Sequence, residues 1–282
     1  MRTGSQASPD SYDMSSEKPV ELLYLLSSRG WTLGENLSDP SPTAVKQAIS
    51  SYQHWWGLKE DGWAGPITER HLEQPRFCGN SDRCESNTGV GRLAKFDRQK
   101  ISWAVTQFPR GTNSSHQEAI VAAFAKAWGH WASVCGIVPS KEGRAIVRSD
   151  FQRIDRRGGT LAWSELAPLS GRSFLQQRYD ILEPWYVGDG NPEQGQIDLV
   201  AVACHEIGHA LGIGHIRGNT GDLMNPIYNP DVRSPQRGDI GAATDRYGPP
   251  IPDLLTPDDA SADIHLVIEG VGEFSGHVDK LR

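Results

Sequence analysis

The stretch CHEIGHALGIGH, from Cys204 to His215, constrains this chain more than any other segment. On a helix, His205 and His209 lie one turn apart on the same face, so both imidazoles can bind one metal ion at about 2.0–2.1 Å. Gly212 can adopt the left-handed conformation that ends a helix, which allows His215 to turn back as a third ligand. The spacing therefore predicts a zinc site with three histidine ligands.

The acidic residue inside this motif predicts the chemistry. Three neutral histidines leave zinc its double positive charge and one open position for water, which is typical of catalytic zinc. The pKa of such a water falls toward about 7, and Glu206 can take its proton during attack on a carbonyl and deliver it to a leaving amine. The alternative is an amphipathic helix with surface histidines, but the eleven-residue spacing with glycine and a third histidine favours zinc.

Composition restricts the class of protein. The chain has 282 residues, a net charge of −7 and 37% hydrophobic residues, which is typical of a water-soluble globular protein with one small and one medium domain. No apolar run approaches the length of a membrane span, so no membrane partner is expected. The acidic balance argues against nucleic acid as a partner, because phosphate binding needs a concentrated basic face.

The segment DLMNPIY, residues 222–228, resembles the Met-turn of the metzincin clan of zinc peptidases. In that clan the methionine lies beneath the three histidines as an apolar floor, a role that the resemblance implies for Met224. The sequence Pro226-Ile227-Tyr228 resembles the wall of the specificity pocket in the matrixin branch. By this resemblance Ile227 and Tyr228 flank the substrate residue just after the scissile bond.

The segment PRFCGNSD, residues 75–82, resembles the cysteine switch of the matrixins. A thiolate is a strong zinc ligand, so Cys78 can fill the open position and exclude the catalytic water in a latent form. The family pattern implies that Arg76 pairs with Asp82 to hold the switch loop. This chain departs from the pattern by inserting Phe77 and by carrying Ser81 where proline is usual.

The cysteines leave alternatives open. A disulfide between Cys78 and Cys84 is the alternative to the switch. Cys84 and Cys135 either pair or stay reduced, whereas Cys204, within an apolar helix, is most simply a buried thiol.

Residues 18–74 have the pattern of a small helical module. We expect helices over 20–28 and 43–53, the second capped by Thr43, and a third that begins near Thr68. The segment resembles the peptidoglycan-binding-like prodomain of matrixin zymogens, which implies that it covers the catalytic cleft. The alternative is a wall-targeting module, in which Trp55, Trp56 and Trp63 stack on glycan strands of peptidoglycan; core packing is the simpler role for such tryptophans.

Between the switch and the zinc helix, the pattern is mixed α and β. Residues 83–100 have the composition of an exposed connector that activation would cut. We expect a strand over 101–106, a helix capped by Ser114 or Ser115, and a short strand over 145–148. Residues 158–163 resemble the family's edge strand, whose backbone pairs with extended substrate, so Leu161 and Ala162 are expected in the substrate cleft.

Two further metal predictions concern this half of the chain. Trp163 stands where matrixins usually place a histidine for a second, structural zinc, and no histidine lies between His130 and His205. We therefore expect no structural zinc. Calcium is a further candidate, with oxygen ligands to be drawn from the acids Asp180, Glu183, Asp189 and Asp198.

The C-terminal part carries one more resemblance. Residues 238–248 are similar to the terminal helix of a matrixin catalytic domain, which implies that Asp239 lies beneath the Met-turn. The family commonly has two adjacent acids here, and Gly238 replaces one of them. Residues 249–282 have the composition of a Pro-rich linker and an extension, with a short strand over 264–268.

These patterns together predict an α+β fold: a metzincin zinc-peptidase catalytic domain over residues 101–248, with a mixed twisted sheet and three helices. A polar tail (1–17), a small all-α prodomain (18–74) and a switch with its connector (75–100) precede it. The resemblance implies a zinc-dependent metalloendopeptidase of proteins, made latent and released by an activating protease. The alternative is a peptidoglycan-binding protein with a vestigial peptidase domain. Matrixin-like proteases act outside the cell, although residues 1–17 lack the pattern of a secretory signal.

Overall fold

The computed structural model describes residues 17–31, 41–82, 95–97, 99–166, 173–216 and 221–252. Its helices are α1 (Glu17–Ser28), α2 (Pro42–Trp56), α3 (Pro66–Leu72), α4 (Ser114–Ala132), α5 (Leu199–Ala210) and α6 (Arg237–Tyr247). Its strands are β1 (Arg76–Cys78), β2 (Lys100–Gln107), β3 (Val138–Lys141), β4 (Val147–Gln152), β5 (Thr160–Ser164), β6 (Leu175–Asp180), β7 (Trp185–Tyr186) and β8 (Ile197–Asp198). Within these ranges, no helix has the length and apolar character needed to cross a bilayer.

Six strands form the main sheet, in the order β1-β5-β6-β4-β2-β3. All neighbours are parallel except β5 and β6, which run antiparallel. Large aromatic side chains from α4 and the sheet fill the main core, and the fully buried ones are Phe77, Phe124, Trp128, Trp131, Phe151 and Tyr179. The predicted α+β class, with a mixed sheet and three helices after residue 100, is confirmed.

Helix α5 begins and packs for identifiable reasons. The carboxylate of Asp198 accepts hydrogen bonds from the N–H groups of Val200 (2.9 Å) and Ala201 (3.3 Å), which satisfies two of the free donors at the helix start. Every residue of the helix is buried. At Gly208 an added Cβ would lie 2.3 Å from the sulfur of Met224, so the close approach of this turn to the helix requires glycine.

We call residues 17–31 and 41–72 the helical module. Its three helices pack around an apolar cluster that is separate from the main core. The buried members of this cluster are Leu23, Leu26, Trp31, Val45, Ala48, Ile49, Tyr52, Ala64 and Leu72. Trp55 and Trp56 pack against this cluster and are only partly buried, as is Trp63. The ring of Trp55 lies edge-on to Trp31, at 5.4 Å between centroids.

Several predicted boundaries were wrong because neighbouring residues competed for the same cap. Ser41, not Thr43, caps α2 by accepting the N–H of Ala44, which lets Pro42 take the first helical position. Asn113, not Ser114 or Ser115, caps α4 by accepting the N–H of His116.

Other boundaries moved because tertiary pairing extends or shortens a segment. Helix α3 begins at Pro66, two residues before the predicted Thr68. Strand β4 begins at Val147 and continues to Gln152, because its whole length pairs in register with β6. The strand predicted over 264–268 lies outside the described residues.

Candidate metal centre and substrate cleft

Four side chains converge at one end of α5. His205 and His209 project from the helix, and Gly212, with φ of 77°, turns the chain so that His215 faces them. The Nε2 atoms of His209 and His215 lie 3.1 Å apart, and the sulfur of Cys78 lies 3.3 Å from the first and 3.1 Å from the second. All four ligand atoms are buried and lie within 4.8 Å of one another.

Each imidazole is oriented by a backbone carbonyl on its far side. The Nδ1 atom lies 2.7 Å from Leu223 O in His205, 2.9 Å from Ile213 O in His209, and 2.9 Å from Ser81 O in His215. Because a carbonyl only accepts hydrogen bonds, Nδ1 carries the proton and the Nε2 lone pair faces the cluster. Burial lowers the pKa of all three histidines, to about 4 for His209, so the rings are neutral and able to bind a metal.

Buried polar atoms of α5 without a hydrogen-bond partner within the described part of the chain support a metal rather than a hydrogen-bond network. The Nε2 atom of His205 and both carboxylate oxygens of Glu206 are buried, and none of them has a hydrogen-bond partner in the described residues. Three imidazole nitrogens and one thiol are a donor set that suits zinc. No other group of three or more convergent His, Cys, Asp or Glu side chains occurs in the part of the chain that the structure describes.

Glu206 follows His205 on α5 and is completely buried. Burial raises the pKa of its carboxyl group well above the usual range. A carboxyl group whose pKa is raised in this way holds a proton more readily, which suits it to exchange protons with a reacting group.

The turn at residues 222–225 passes beneath the cluster. Met224 is fully buried there. Asp239 supports the turn by accepting the N–H groups of Leu223 at 2.7 Å and Met224 at 3.0 Å. The same carboxylate accepts the N–H of Gln236 at the start of α6, so it links this helix to the floor of the site. Burial raises the pKa of Asp239 to about 6.

Gly238 leaves room for a neighbouring acid. Its N–H donates to the carboxylate of Asp222 at 3.0 Å, and an added Cβ would meet that carboxylate at 2.5 Å. Asp222 thus takes space next to the helix start that a side chain at position 238 would need.

The segment around Cys78 lies in a cleft between β5 and the chain at 226–228. Strand β1 runs parallel to β5, and the N–H of Gly79 donates to Ala162 O at 2.8 Å. On the other side, Phe77 N donates to Pro226 O and Tyr228 N donates to Pro75 O, both at 3.0 Å. Arg76 also bridges to Ile227, while Leu161 of β5 is fully buried.

The switch loop is tied to the helical module by buried polar contacts. Arg76 forms an ion pair with Asp82 at 3.0 Å, and both side chains are almost fully buried. The indole N–H of Trp31 donates to the second oxygen of Asp82 at 2.9 Å. Arg76 also donates to the hydroxyl of Tyr52 at 3.2 Å and lies over the ring of Trp56. Sequence reasoning did not identify Trp31 or Tyr52, because residues so far from the switch give no local signal.

Phe77 is a second residue whose position the sequence did not predict. Its ring is fully buried and stacks on the imidazole of His205, with 4.6 Å between centroids and 8° between planes. The only sequence signal was the insertion itself, a large apolar residue placed between Arg76 and Cys78.

The acids considered as calcium ligands have separate partners. Asp180 accepts the N–H groups of Asp155 and Leu182, and Glu183 accepts that of Gly158. Asp198 caps α5 and pairs with Arg233, and Asp189 pairs with Lys126 at 3.1 Å. Calcium binding remains an expectation that the structure does not test.

Trp163, which stands where matrixins usually place a histidine, lies on β5 with the guanidinium of Arg178 over its ring, at 5.3 Å.

A mixed sheet with α4 and α5 packed on it, three histidines at the end of α5 and a methionine turn beneath them define a metzincin-type catalytic domain. The sequence profile of the matrixin family matches residues 95–248, which is more than half of the chain. The chain belongs to the matrixin family.

Named relatives agree with this assignment. The chain is 30% identical over 220 residues to matrix metalloproteinase-25 of Homo sapiens, covering 70% of this chain and 38% of that protein. It is 28% identical over 267 residues to the interstitial collagenase of Sus scrofa, covering 88% and 53%. It is also 28% identical over 243 residues to the metalloendoproteinase 1-MMP of Arabidopsis thaliana, covering 76% and 64%. The chain therefore spans about a third to two thirds of the length of these relatives.

Proposed function

We propose that this chain is a zinc-dependent metalloendopeptidase that hydrolyses peptide bonds of proteins and is made in a latent form. The observation that carries the proposal is the convergence of three neutral imidazoles on one point, together with the full burial of Glu206, the residue that follows His205 on α5. His205, His209 and His215 would hold the zinc, and Cys78 would be the fourth ligand in the latent form.

Zinc held by three histidines supplies a Lewis acid that polarises a carbonyl and lowers the pKa of water. Side chains and backbone groups of the protein carry out the remaining steps. Glu206 accepts a proton from the attacking water, whose oxygen forms the new bond to the carbonyl carbon. Glu206 then gives that proton to the amide nitrogen as the C–N bond breaks, which leaves a carboxylic acid and an amine. The backbone of β5, including Ala162, and the wall at 226–228 offer hydrogen bonds to an extended peptide on either side.

Latency follows from occupation of this cleft. The strand around Cys78 uses the same backbone groups of Ala162, Pro226 and Tyr228 that an extended substrate needs, so substrate and strand exclude each other. We assign residues 18–74 the role of a prodomain that holds this strand, because Trp31 and Tyr52 contact the switch loop directly. Cleavage of the connector within 83–100 by an activating protease would release it, and action outside the cell fits this scheme.

The packing of the tryptophans favours this role over wall binding. Trp55 lies against Trp31, and Trp56 lies against Tyr52 and His71 with Arg76 over its ring, so both rings serve contacts within the protein. Sedimentation of the full chain with purified peptidoglycan tests the alternative directly, and retention that Trp55→Ala and Trp63→Ala abolish would favour it.

The deciding experiment separates metal binding from hydrolysis. Because the wild-type chain is proposed to be latent, both variants are made in the Cys78→Ser background. There we expect Glu206→Ala to bind zinc at the stoichiometry of the background protein, while hydrolysis of a denatured protein substrate falls by about two orders of magnitude or more, as expected for the loss of a general base. Glu193→Ala, which removes an exposed acid of the same domain, is the control and should keep the activity of the background protein. Hydrolysis by Glu206→Ala at the control rate would refute the assigned role.

Latency needs its own pair of variants. Cys78→Ser in the full chain should raise activity, whereas Cys135→Ser alters a buried thiol away from the cluster and should not. If the wild-type full chain is already fully active and Cys78→Ser leaves its activity unchanged, the result would argue against the switch.

A further inference from the structure

Phe77 has no counterpart in the switch pattern of the family, yet it is fully buried in the strand that lies between β5 and the 226–228 segment. All three residues of β1 are buried, so both faces of this strand are covered. Side chains alternate along a strand, and Phe77 therefore projects to the face opposite Arg76 and Cys78.

Two aromatic side chains contact the ring of Phe77, and we call the space between them the slot. One wall is the imidazole of His205, parallel to the Phe77 ring at 4.6 Å. The other is Tyr228, whose ring meets Phe77 edge-on at 5.0 Å and 73°. Tyr228 is fixed in turn, because its hydroxyl accepts the N–H of Asp198 at 3.1 Å. Both contacts have the geometry that aromatic pairs prefer.

The matrixin resemblance already implies that Ile227 and Tyr228 flank the substrate side chain that follows the scissile bond. We propose that Phe77 fills this pocket in the latent chain and that the pocket selects an aromatic ring. The inference rests on the proposed function and adds a substrate preference to it. The slot borders a metal-ligating imidazole on one side and the 226–228 wall on the other, where the side chain next to the reacting carbonyl must lie.

The latent chain then has two contacts that hold it in one cleft. The thiol of Cys78 lies against the histidines, and the ring of the preceding residue fills the adjacent slot. Two linked contacts hold a segment more tightly than either alone, because the first fixes the position of the second. Release of the strand then opens a slot whose walls, His205 and Tyr228, are already arranged around an aromatic ring.

The first test measures occupation of the slot without using catalysis. The full chain, both loaded with zinc and after chelation, is treated with iodoacetamide, and alkylation of Cys78 is followed by mass spectrometry. Phe77→Ala should raise the alkylation rate by about tenfold or more, from lost apolar burial and lost aromatic contacts. Phe77→Leu keeps an apolar side chain of similar depth but no ring, and should fall between Phe77→Ala and the wild type.

The matched control is Tyr24→Ala, which removes an aromatic ring that is 70% exposed on α1 and should leave the rate unchanged. Alkylation of Phe77→Ala at the wild-type rate would overturn the occupation of the slot. Alkylation of Phe77→Leu at the wild-type rate would overturn its selectivity for an aromatic ring.

The second test asks whether substrates use the same slot. The full chain carrying both Phe77→Ala and Cys78→Ser is given peptides that differ only in the residue after the scissile bond. We expect kcat/KM for phenylalanine to exceed that for leucine by about fivefold, and Tyr228→Leu to narrow this ratio. Equal or reversed preference would overturn the proposal. If no peptide is cleaved, the peptidase assignment itself fails, and the alkylation series still decides whether the slot is occupied by, and selective for, a ring.

Discussion

The indole nitrogen of Trp31 lies 2.9 Å from a carboxylate oxygen of Asp82, across 51 positions of sequence. Through this bond the helical module holds one end of the switch loop, and the other oxygen of Asp82 pairs with Arg76. Buried carboxylates are stable only when their oxygens have partners. The ion pair of the switch therefore depends on a residue of the module.

This dependence is tested by a double-mutant cycle. Trp31→Phe removes the N–H donor, and Asp82→Asn removes the charge that it meets. Each change should lower the free energy of unfolding of the full chain by about 1–3 kcal/mol, because it weakens a buried hydrogen bond to a charged group. The sum of the two single losses in the free energy of unfolding should exceed the loss in the double variant by about 1 kcal/mol or more, as measured by urea unfolding. Additive losses would show that the two side chains act independently.

Asp239 gives a second test, at the floor of the metal site. Asp239→Asn replaces one accepting oxygen by an NH₂ group that faces backbone N–H donors of Leu223, Met224 or Gln236. We expect a loss of about 1–3 kcal/mol in the free energy of unfolding and weaker zinc binding, since Leu223 O orients His205. Asp245→Asn, on the exposed face of the same helix, is the control and should change neither quantity. Wild-type zinc affinity in Asp239→Asn would show that support of the turn by Asp239 does not affect zinc binding.

Much of this architecture could be predicted from the sequence, because it depends on short-range spacing. His205 and His209 are neighbours on any helix, and Gly212 is a residue that tolerates the φ of 77° seen there. The predicted fold class and family are confirmed. The structure also brings together the ligand atoms that the spacing named, while the metal itself stays a proposal.

What the sequence did not predict depends on contacts that are distant along the chain or on a choice between equivalent neighbours. Asn113 and Ser114 are both good caps, and only the path of the chain into α4 decides between them. Trp31 and Asp82 meet because the module folds against the switch, and no periodicity records that. Phe77 appeared as a departure from a pattern, and its place in the slot follows from the pairing of β1 on both edges.

We expect His71 to make the stability of the helical module sensitive to acid. Its Nδ1 lies 2.5 Å from the hydroxyl oxygen of Tyr52. Burial, and then the positive charges of Arg76 and Arg29, lower the pKa of its imidazole to about 4. The unfolded chain, with a histidine pKa near 6.5, therefore binds more protons than the folded chain between pH 4 and 6.5. Stability from this group is present above about pH 6.5 and is lost as the pH falls through about 4.

Urea unfolding of the wild type and His71→Gln across this range measures the effect. Solvent around the partly exposed ring limits the expected difference in pH dependence to about 1–2 kcal/mol. His116→Gln, which changes an exposed histidine of α4, should follow the wild-type curve. A His71→Gln curve with the wild-type slope would show that another group carries the acid sensitivity.

Metal binding should be linked to folding through the histidine cluster. Nε2 of His205 is buried without a hydrogen-bond partner among the described residues, so the metal-free site carries a cost that zinc removes. A ligand present at 1,000 times its dissociation constant adds about 4 kcal/mol to the free energy of unfolding. Differential scanning calorimetry of the chelated chain should therefore show a lower Tm than the zinc-loaded chain. His209→Ala should lose most of this zinc-dependent shift, whereas His54→Ala, on the exposed face of α2, should keep it. An equal shift in all three proteins would place the stabilising zinc outside the cluster of His205, His209, His215 and Cys78.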